Sequence, residues 1–194
     1  MNKKKNSVYI CLIFSIIILT SFSLANISYA ADKSDSITLS QNDIIESSKS
    51  LYSYIKINEK LPESIKVSNK NYSTEQFLFS MSNTVICKKD NIKCYITIKS
   101  NFKKATNPIG SSINGKFYLK DMCNYSKNII EFMNKNNRAP NFLKTKFGKM
   151  QYETIIFIFS KFLANTHNGE LANNVIISVS KESPINPSLL PQVT

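Results

Sequence analysis

The chain carries few side chains that could perform acid–base, nucleophilic or metal chemistry. It has 194 residues, with four cysteines and a single histidine, His167. One histidine excludes every site that needs two, and the cysteines and His167 lack the spacing of zinc ligands. A cysteine–histidine nucleophile needs its base within reach of the thiol, but His167 follows the last predicted helix and Cys123 lies on the apolar side of another. We therefore predict no catalytic residue, no metal, no cofactor and no enzyme activity.

The composition indicates a folded, basic protein. Of its residues 42% are hydrophobic, which excludes a disordered polyelectrolyte. Only four glycines occur, and neither the P-loop nor the dinucleotide-binding glycine motif is present, which argues against those nucleotide-binding folds. The 25 basic against 13 acidic side chains favour an anionic partner. Because the lysines are scattered and no nucleic-acid motif appears, nucleic acid is not the expected partner.

Residues 1–30 have the three parts of a secretory signal peptide. Lysines occupy positions 3–5, an apolar run covers residues 8–25, and Ser28-Tyr29-Ala30 forms a small-x-small cleavage pattern. An uncleaved membrane anchor is the alternative, since the apolar run is near the lower length limit for a bilayer span. Both interpretations place the rest of the chain outside the cytoplasm, with contact to the membrane only if the signal segment is retained.

Cleavage after Ala30 would change the charge and the cysteine count. It would remove three of the 25 basic side chains and none of the 13 acidic ones, for a net charge of +9. It would also leave three cysteines, so that at most one internal disulfide can form. Cys87 and Cys94 are the only near pair, and the sequence leaves open whether they are bonded. Cys123 is expected to be a small buried hydrophobic residue.

The chain matches itself without gaps when it is shifted by 78 residues. Matched positions keep their character, as in Asp43/Asp121, Ser48/Ser126, Ile55/Met133, Pro62/Pro140 and Met81/Phe159. A fixed period with apolar residues on apolar residues is typical of repeated supersecondary units. We place a first repeat at 37–99, a linker at 100–116, a second repeat at 117–180 and a tail at 181–194.

Each repeat is predicted to contain a helix, a short strand, a second helix and a second short strand. Ser40 with Asp43 is a candidate cap for the first helix, and Ser73-x-x-Gln76 has the pattern of a capping box. The strands are expected at 64–67, 95–98, 141–145 and 175–179, and the helices of the second repeat at 121–134 and 152–165. The expected fold class is α+β, mostly helical, with two similar small lobes.

Each repeat also has an asparagine-containing helix end that runs into a proline joint. The first copy reads Asn58-Glu59-Lys60-Leu61-Pro62, and the second reads Asn136-Asn137-Arg138-Ala139-Pro140-Asn141-Phe142, followed by Gly148-Lys149. In order and register, residues 37–180 resemble the pseudomurein-binding repeat of methanogenic archaea. The joint departs from the Leu-Pro-x-Tyr-Val type of that family, because Pro-Glu-Ser-Ile and Pro-Asn-Phe-Leu stand in its place.

The resemblance implies a secreted, cell-wall-associated protein that attaches non-covalently to pseudomurein. That polymer carries uronate carboxylates in its glycan and glutamates in its peptides, and both suit a basic module. Three other classes stay open. One is a general extracellular binder of polyanions such as nucleic acid or glycan, and another is the wall-targeting part of a cysteine peptidase system that lacks its catalytic domain. The third is a structural surface protein whose degenerate repeats have kept no ligand.

The proline joints supply four polar candidates for ligand binding. Lys60 and Arg138 occupy neighbouring positions in the two joints, where an arginine could pair with a carboxylate through two hydrogen bonds. A solvated loop charge is the plainer interpretation of both residues. Asn137 and Asn141 could hydrogen-bond peptide or sugar, and they could equally cap a helix and form a turn.

Two aromatic residues complete the set of candidates. Tyr54 belongs to the first helix of the first repeat, and Phe142 follows the proline of the second joint. Either ring could stack on a sugar of the wall polymer. An aromatic residue at helical spacing is more often part of the core, so both interpretations remain.

Overall fold

The computed structural model describes residues 38–98 and 102–185. The expected signal peptide, and with it the choice between cleavage and anchoring, lies outside the described residues, as does the end of the tail. The described residues belong to one compact unit. Within them, no helix combines the length and the apolar composition needed to cross a membrane.

Helices and short strands follow one another in the same order in the two halves of the described chain. Residues 38–97 contain β1 (Thr38–Ser40), α1 (Gln41–Asn58), β2 (Ile65–Val67), β3 (Lys70–Tyr72), α2 (Thr74–Lys89) and β4 (Tyr95–Thr97). Residues 113–179 contain β5 (Ile113–Tyr118), α3 (Leu119–Asn136), β6 (Phe142–Thr145), β7 (Gly148–Gln151), α4 (Tyr152–Ala164) and β8 (Asn174–Val179). The predicted α+β class is confirmed.

The strands of each half form two antiparallel pairs. In the first half β1 pairs with β4, and β2 with β3 forms a hairpin. In the second half β5 pairs with β8, and β6 with β7 forms the corresponding hairpin. The sequence did not predict β1, β3, β5 and β7. Three of these strands, β1, β3 and β7, bury only one residue each, so no apolar alternation marks them in the sequence, and they depend on a partner strand for their hydrogen bonds.

Strand β5 lies across the boundary expected between the linker and the second repeat. It begins at Ile113, inside the expected linker 100–116, and it includes Asn114-Gly115, a dipeptide that usually favours a turn. In the structure Ile113, Gly115 and Phe117 are its buried residues instead. The ring of Phe147 lies where a side chain at Gly115 would be. Packing of an aromatic ring against the strand therefore overrides the local turn preference.

Two predicted helix starts are confirmed in atomic detail. The Ser40 hydroxyl oxygen accepts a hydrogen bond of 3.1 Å from the backbone N–H of Asp43, at the start of α1. At the start of α2, Ser73 Oγ accepts from the N–H of Gln76 at 3.2 Å, and the N–H of Ser73 donates to Gln76 Oε1 at 2.9 Å. These bonds satisfy N–H groups of the first turn that have no partner inside the helix.

The four helices share one hydrophobic core, which replaces the two lobes expected from the sequence. Helices α2 and α4 contact each other at the centre, while α1 packs mainly on α4 and α3 packs mainly on α2. Every residue from 154 to 160 of α4 is buried. A helix that is apolar on all sides cannot lie on the outside of a small lobe, so each half covers the central helix of the other.

Three of the cysteines and the histidine lie among the described residues. Cys87 and Cys94 form a disulfide with their Cα atoms 6.4 Å apart, which settles the pairing left open above. The side-chain amide of Gln41 donates to Cys94 Sγ at 3.1 Å and so ties this loop to the start of α1. Cys123 is buried as expected, and burial raises the pKa of its thiol. The backbone of His167 pairs with that of Glu170.

Candidate functional site

The second proline joint begins where α3 ends. Asn137 adopts a left-handed backbone conformation with φ of 51°, and its N–H donates to the carbonyl of Met133 at 2.9 Å. Its own carbonyl accepts from the N–H of Lys103 at 3.0 Å. Asn137 is thus a helix cap that also fixes the segment before β5. Of the two roles considered for Asn137, ligand binding and helix capping, the structure shows the capping role.

The side chain of Asn141 holds the joint against the linker. Its Oδ1 atom accepts hydrogen bonds from the N–H groups of Thr106 at 2.9 Å and Asn107 at 3.1 Å. The Arg138 guanidinium donates to the carbonyl of Ala139 at 3.0 Å and lies 3.4 Å from the same Oδ1 atom. Asn141 therefore positions Arg138 as well as the linker.

A concave surface, here called the second groove, lies beside this joint. It has a volume of about 380 Å³. Its lining residues come from α3, the joint and β6: Asn128, Ile129, Phe132, Arg138, Pro140, Asn141, Phe142, Leu143 and Lys144. The Arg138 guanidinium lies 4.9 Å from the centre of the Phe132 ring. The groove thus combines two phenyl rings with an arginine and a lysine, and none of its lining residues is acidic.

A matching concave surface, the first groove, lies beside the first proline joint. It has a volume of about 350 Å³. Its lining residues come from α1, the joint, β2 and the turn after it: Ser47, Ser50, Leu51, Tyr54, Pro62, Ser64, Ile65, Lys66 and Ser68. Four serines and one lysine make it more polar and less cationic than the second groove.

The two grooves occupy equivalent places in the two halves. Seven lining residues of one groove lie 78 positions from a lining residue of the other: Ser50/Asn128, Leu51/Ile129, Tyr54/Phe132, Pro62/Pro140, Ser64/Phe142, Ile65/Leu143 and Lys66/Lys144. Each groove is therefore bounded by the first helix of its half, a proline joint and the first hairpin strand. The chemistry of the walls differs at two of these positions. The first groove has Tyr54 and Ser64 where the second groove has the phenyl rings of Phe132 and Phe142.

The six candidate residues take three different kinds of position. Arg138, Asn141 and Phe142 line the second groove, and Tyr54 lines the first. Asn137 is exposed and acts as the helix cap. Lys60 is exposed and lines neither groove.

Phe132, Asn128 and Lys144 also line the second groove, although they were not among the candidates. The 78-residue shift carried a signal for Phe132, since it places this residue on Tyr54. Asn128 and Lys144 gave no such signal, because an exposed residue of a helix or strand is usually only solvated.

The described residues include no group of three or more histidine, cysteine, aspartate or glutamate side chains that could hold a metal ion. No model of a known protein family, no curated protein and no solved structure matches this chain. The geometry and charge of the two grooves are therefore the features of this chain that bear on its function.

Proposed function

We propose that this is an exported, non-catalytic protein that attaches to the pseudomurein cell wall through its two grooves. One observation carries the proposal furthest: the second groove brings Phe132, Phe142, Arg138 and Lys144 together on one concave wall without a carboxylate. A wall polymer built of sugars and acidic peptides offers partners for both kinds of side chain.

The phenyl rings and the cations of the second groove have separate tasks in this proposal. A half-exposed ring binds the apolar face of a sugar and excludes water from it. Arg138 presents a planar guanidinium that can donate two parallel hydrogen bonds to a uronate or glutamate carboxylate. Because the contacts with Phe132 and Asn141 hold this guanidinium in place, less side-chain entropy is lost on binding.

Two grooves on one rigid core favour attachment to a repeating polymer. Each groove is small and open, so each contact by itself is expected to be weak. If both reach the same wall, the second contact forms at a high effective concentration, and the overall affinity exceeds that of either groove. Attachment by two weak contacts suits a protein that remains on an insoluble wall.

Two alternatives use the same surface. A general polyanion binder would depend on charge alone, and its binding would fall steeply with salt whatever the polymer. The wall-targeting part of a cysteine peptidase system would bind the wall in the same way and would act beside a separately encoded peptidase. The polyanion binder differs from our proposal because it would bind many anionic polymers. The peptidase-system protein differs only because it would act together with a peptidase.

The test is a pull-down of residues 31–194 with purified pseudomurein sacculi, at low and at high salt. Bacterial peptidoglycan and double-stranded DNA serve as comparison ligands. We expect retention on pseudomurein that survives high salt and little retention on the other two. Equal retention by all three polymers, lost in salt, would contradict the proposal and support the polyanion binder.

Variants then assign the binding to the grooves. R138A should reduce retention, and Y54A should reduce it further when combined with R138A. The matched controls are K127A, which removes an exposed charge of α3 outside the groove, and Y95A, which removes an exposed ring of β4. Circular dichroism establishes that each variant is folded. Retention that falls equally in variants and controls would exclude the grooves as the wall contact.

A further inference from the structure

A third concave surface, the lysine cleft, adjoins the second groove and shares Lys144 with it. It lies between the linker residues 108–111, the hairpin of β6 and β7, and the chain after β8. Lys144 and Lys149 of the hairpin and Lys181 of the chain after β8 line it, and none of its lining residues is acidic. Three lysine residues therefore line one depression.

Backbone hydrogen bonds and close packing hold the walls of the lysine cleft together. The N–H of Ser111 donates to the carbonyl of Lys149 at 2.8 Å. The N–H of Lys181 donates to Ser112 Oγ at 3.1 Å. A Cβ atom on Gly110 would lie 2.8 Å from Cβ of Gln151, so only glycine allows the linker this close to β7. Hydrogen bonds and close packing within the fold therefore maintain the shape of the cleft.

The hairpin places two of the lysines in direct opposition. Lys144 is the strand partner of Lys149, and like charges directly opposite each other on a hairpin destabilise it. Among the described residues, no ion pair reaches Lys144, Lys149 or Lys181. The Lys149 ammonium group lies 4.8 Å from the centre of the Phe142 ring. The repulsion is thus not relieved by an acidic neighbour.

The first half shows that the fold does not need this opposition. At the equivalent place in hairpin β2–β3, Lys66 is the strand partner of Asn71. The opposed pair there contains one lysine, so a second lysine in the opposed pair of hairpin β6–β7 is not required for the turn or the register. The opposed lysine pair occurs only in the hairpin of the second half, and that hairpin borders the lysine cleft.

We infer that the lysine cleft binds a ligand segment that carries closely spaced carboxylates. A carboxylate between Lys144 and Lys149 replaces their repulsion by two attractions, and Lys181 provides a third cation for the next acidic group. The lining contains no aromatic ring on which a nucleobase could stack. Acidic peptides and uronate glycans share the required chemistry. The inference extends the proposed function but does not depend on it, since it requires carboxylates and not pseudomurein.

The experiment measures binding of residues 31–194 to three soluble probes by calorimetry, at about 50 mM and about 300 mM salt. The probes are a hexaglutamate peptide, a trimer of galacturonic acid and a thymidine hexanucleotide. We expect binding of the peptide, the uronate or both, and the arm that binds identifies the source of the carboxylates. Binding should weaken roughly three- to tenfold in K149N, which introduces the residue of the first hairpin, and likewise in K181Q.

The control is K70Q, which removes an exposed lysine from hairpin β2–β3 in the first half. It has the same net charge as the cleft variants and should bind within roughly twofold of the wild type. Equal weakening in K70Q, or no binding of either acid by the folded wild type, would overturn the inference. Equal binding of the hexanucleotide with the same response to K149N and K181Q would overturn it in favour of nucleic acid. If the protein is retained on sacculi but binds neither acid, the inference about the lysine cleft is wrong and the proposed function stands. If it binds an acid but is not retained on sacculi, only the proposed function is wrong.

Discussion

The hydroxyl of Tyr152 lies 3.0 Å from Oε1 of Glu75, although 77 residues separate them in the chain. The same hydroxyl lies 2.9 Å from Oγ1 of Thr74. Tyr152 begins α4, and Thr74 with Glu75 begins α2, so this cluster joins the starts of the two central helices. Glu75 is only 2% exposed, and the two hydroxyls together with the N-terminus of α2 stabilise its buried carboxyl group.

Y152F should lower the free energy of unfolding by about 1–3 kcal/mol, because the ring stays in place while Glu75 loses a buried hydrogen-bond donor. Urea unfolding followed by circular dichroism measures the difference. Y95F is the control, since Tyr95 is 76% exposed, and it should change the free energy by less than about 0.5 kcal/mol. An equal loss in both variants would mean that the hydroxyl at Tyr152 contributes nothing specific.

Tyr152 also predicts a loss of stability at alkaline pH. Burial, and after it the charge of Glu75, raises the pKa of the Tyr152 phenol above its usual value of 10.0. The unfolded chain releases this proton near pH 10 while the folded protein retains it, so the free energy of unfolding falls as the pH rises past about 10. Because Y152F has no phenol there, its stability should fall less steeply between about pH 10 and about pH 11. Parallel curves for the two proteins would contradict the assignment.

The Cys87–Cys94 disulfide predicts sensitivity to reducing agents. It closes a loop with a sequence separation of 7, for which loss of loop-closure entropy in the unfolded chain corresponds to about 2–3 kcal/mol. A reducing agent should therefore lower the thermal midpoint of the wild type and leave that of C87A/C94A unchanged. If the wild type and the double variant respond alike, the bond has no stabilising role.

Gly115 predicts a steric conflict inside strand β5. In G115A the new methyl group would meet the ring of Phe147. That ring also packs edge-on against the ring of Phe117, with 5.0 Å between the two ring centres. We expect G115A to lower the free energy of unfolding by about 1–3 kcal/mol. G115A/F147A should lose less than the sum of the two single variants, because removing the ring removes the clash. N114A, at the exposed neighbouring position, is the control. Strict additivity of the two changes would exclude the contact.

Local features of the fold could be predicted because their causes lie within a few residues. The cap at Ser40 and the capping box at Ser73 involve residues three positions apart, and both were found in the structure. Helix α4 was expected at 152–165 and covers Tyr152–Ala164. The short strands β1 and β3 could not be predicted in the same way, since each buries a single residue and so shows no alternation, and each depends on hydrogen bonds to another strand.

The candidate site was predicted in part for the same reason. Arg138, Asn141 and Phe142 share one wall because they are close in sequence on either side of Pro140. Phe132 reaches that wall from the preceding helix, and the lysine cleft needs Lys181 from beyond β8. Residues of this second kind are brought to the site by packing of whole elements, so spacing along the chain does not reveal them.

The sequence by itself determined the basic charge, the 78-residue register, the capped starts of α1 at Ser40 and α2 at Ser73, and the α+β class. The tertiary structure decided that each half covers the central helix of the other, that Cys87 is bonded to Cys94, and that Gly115 lies in a strand. The division has a physical cause. Capping bonds and helical periodicity depend on neighbours along the chain, whereas burial depends on side chains that only the folded core brings together.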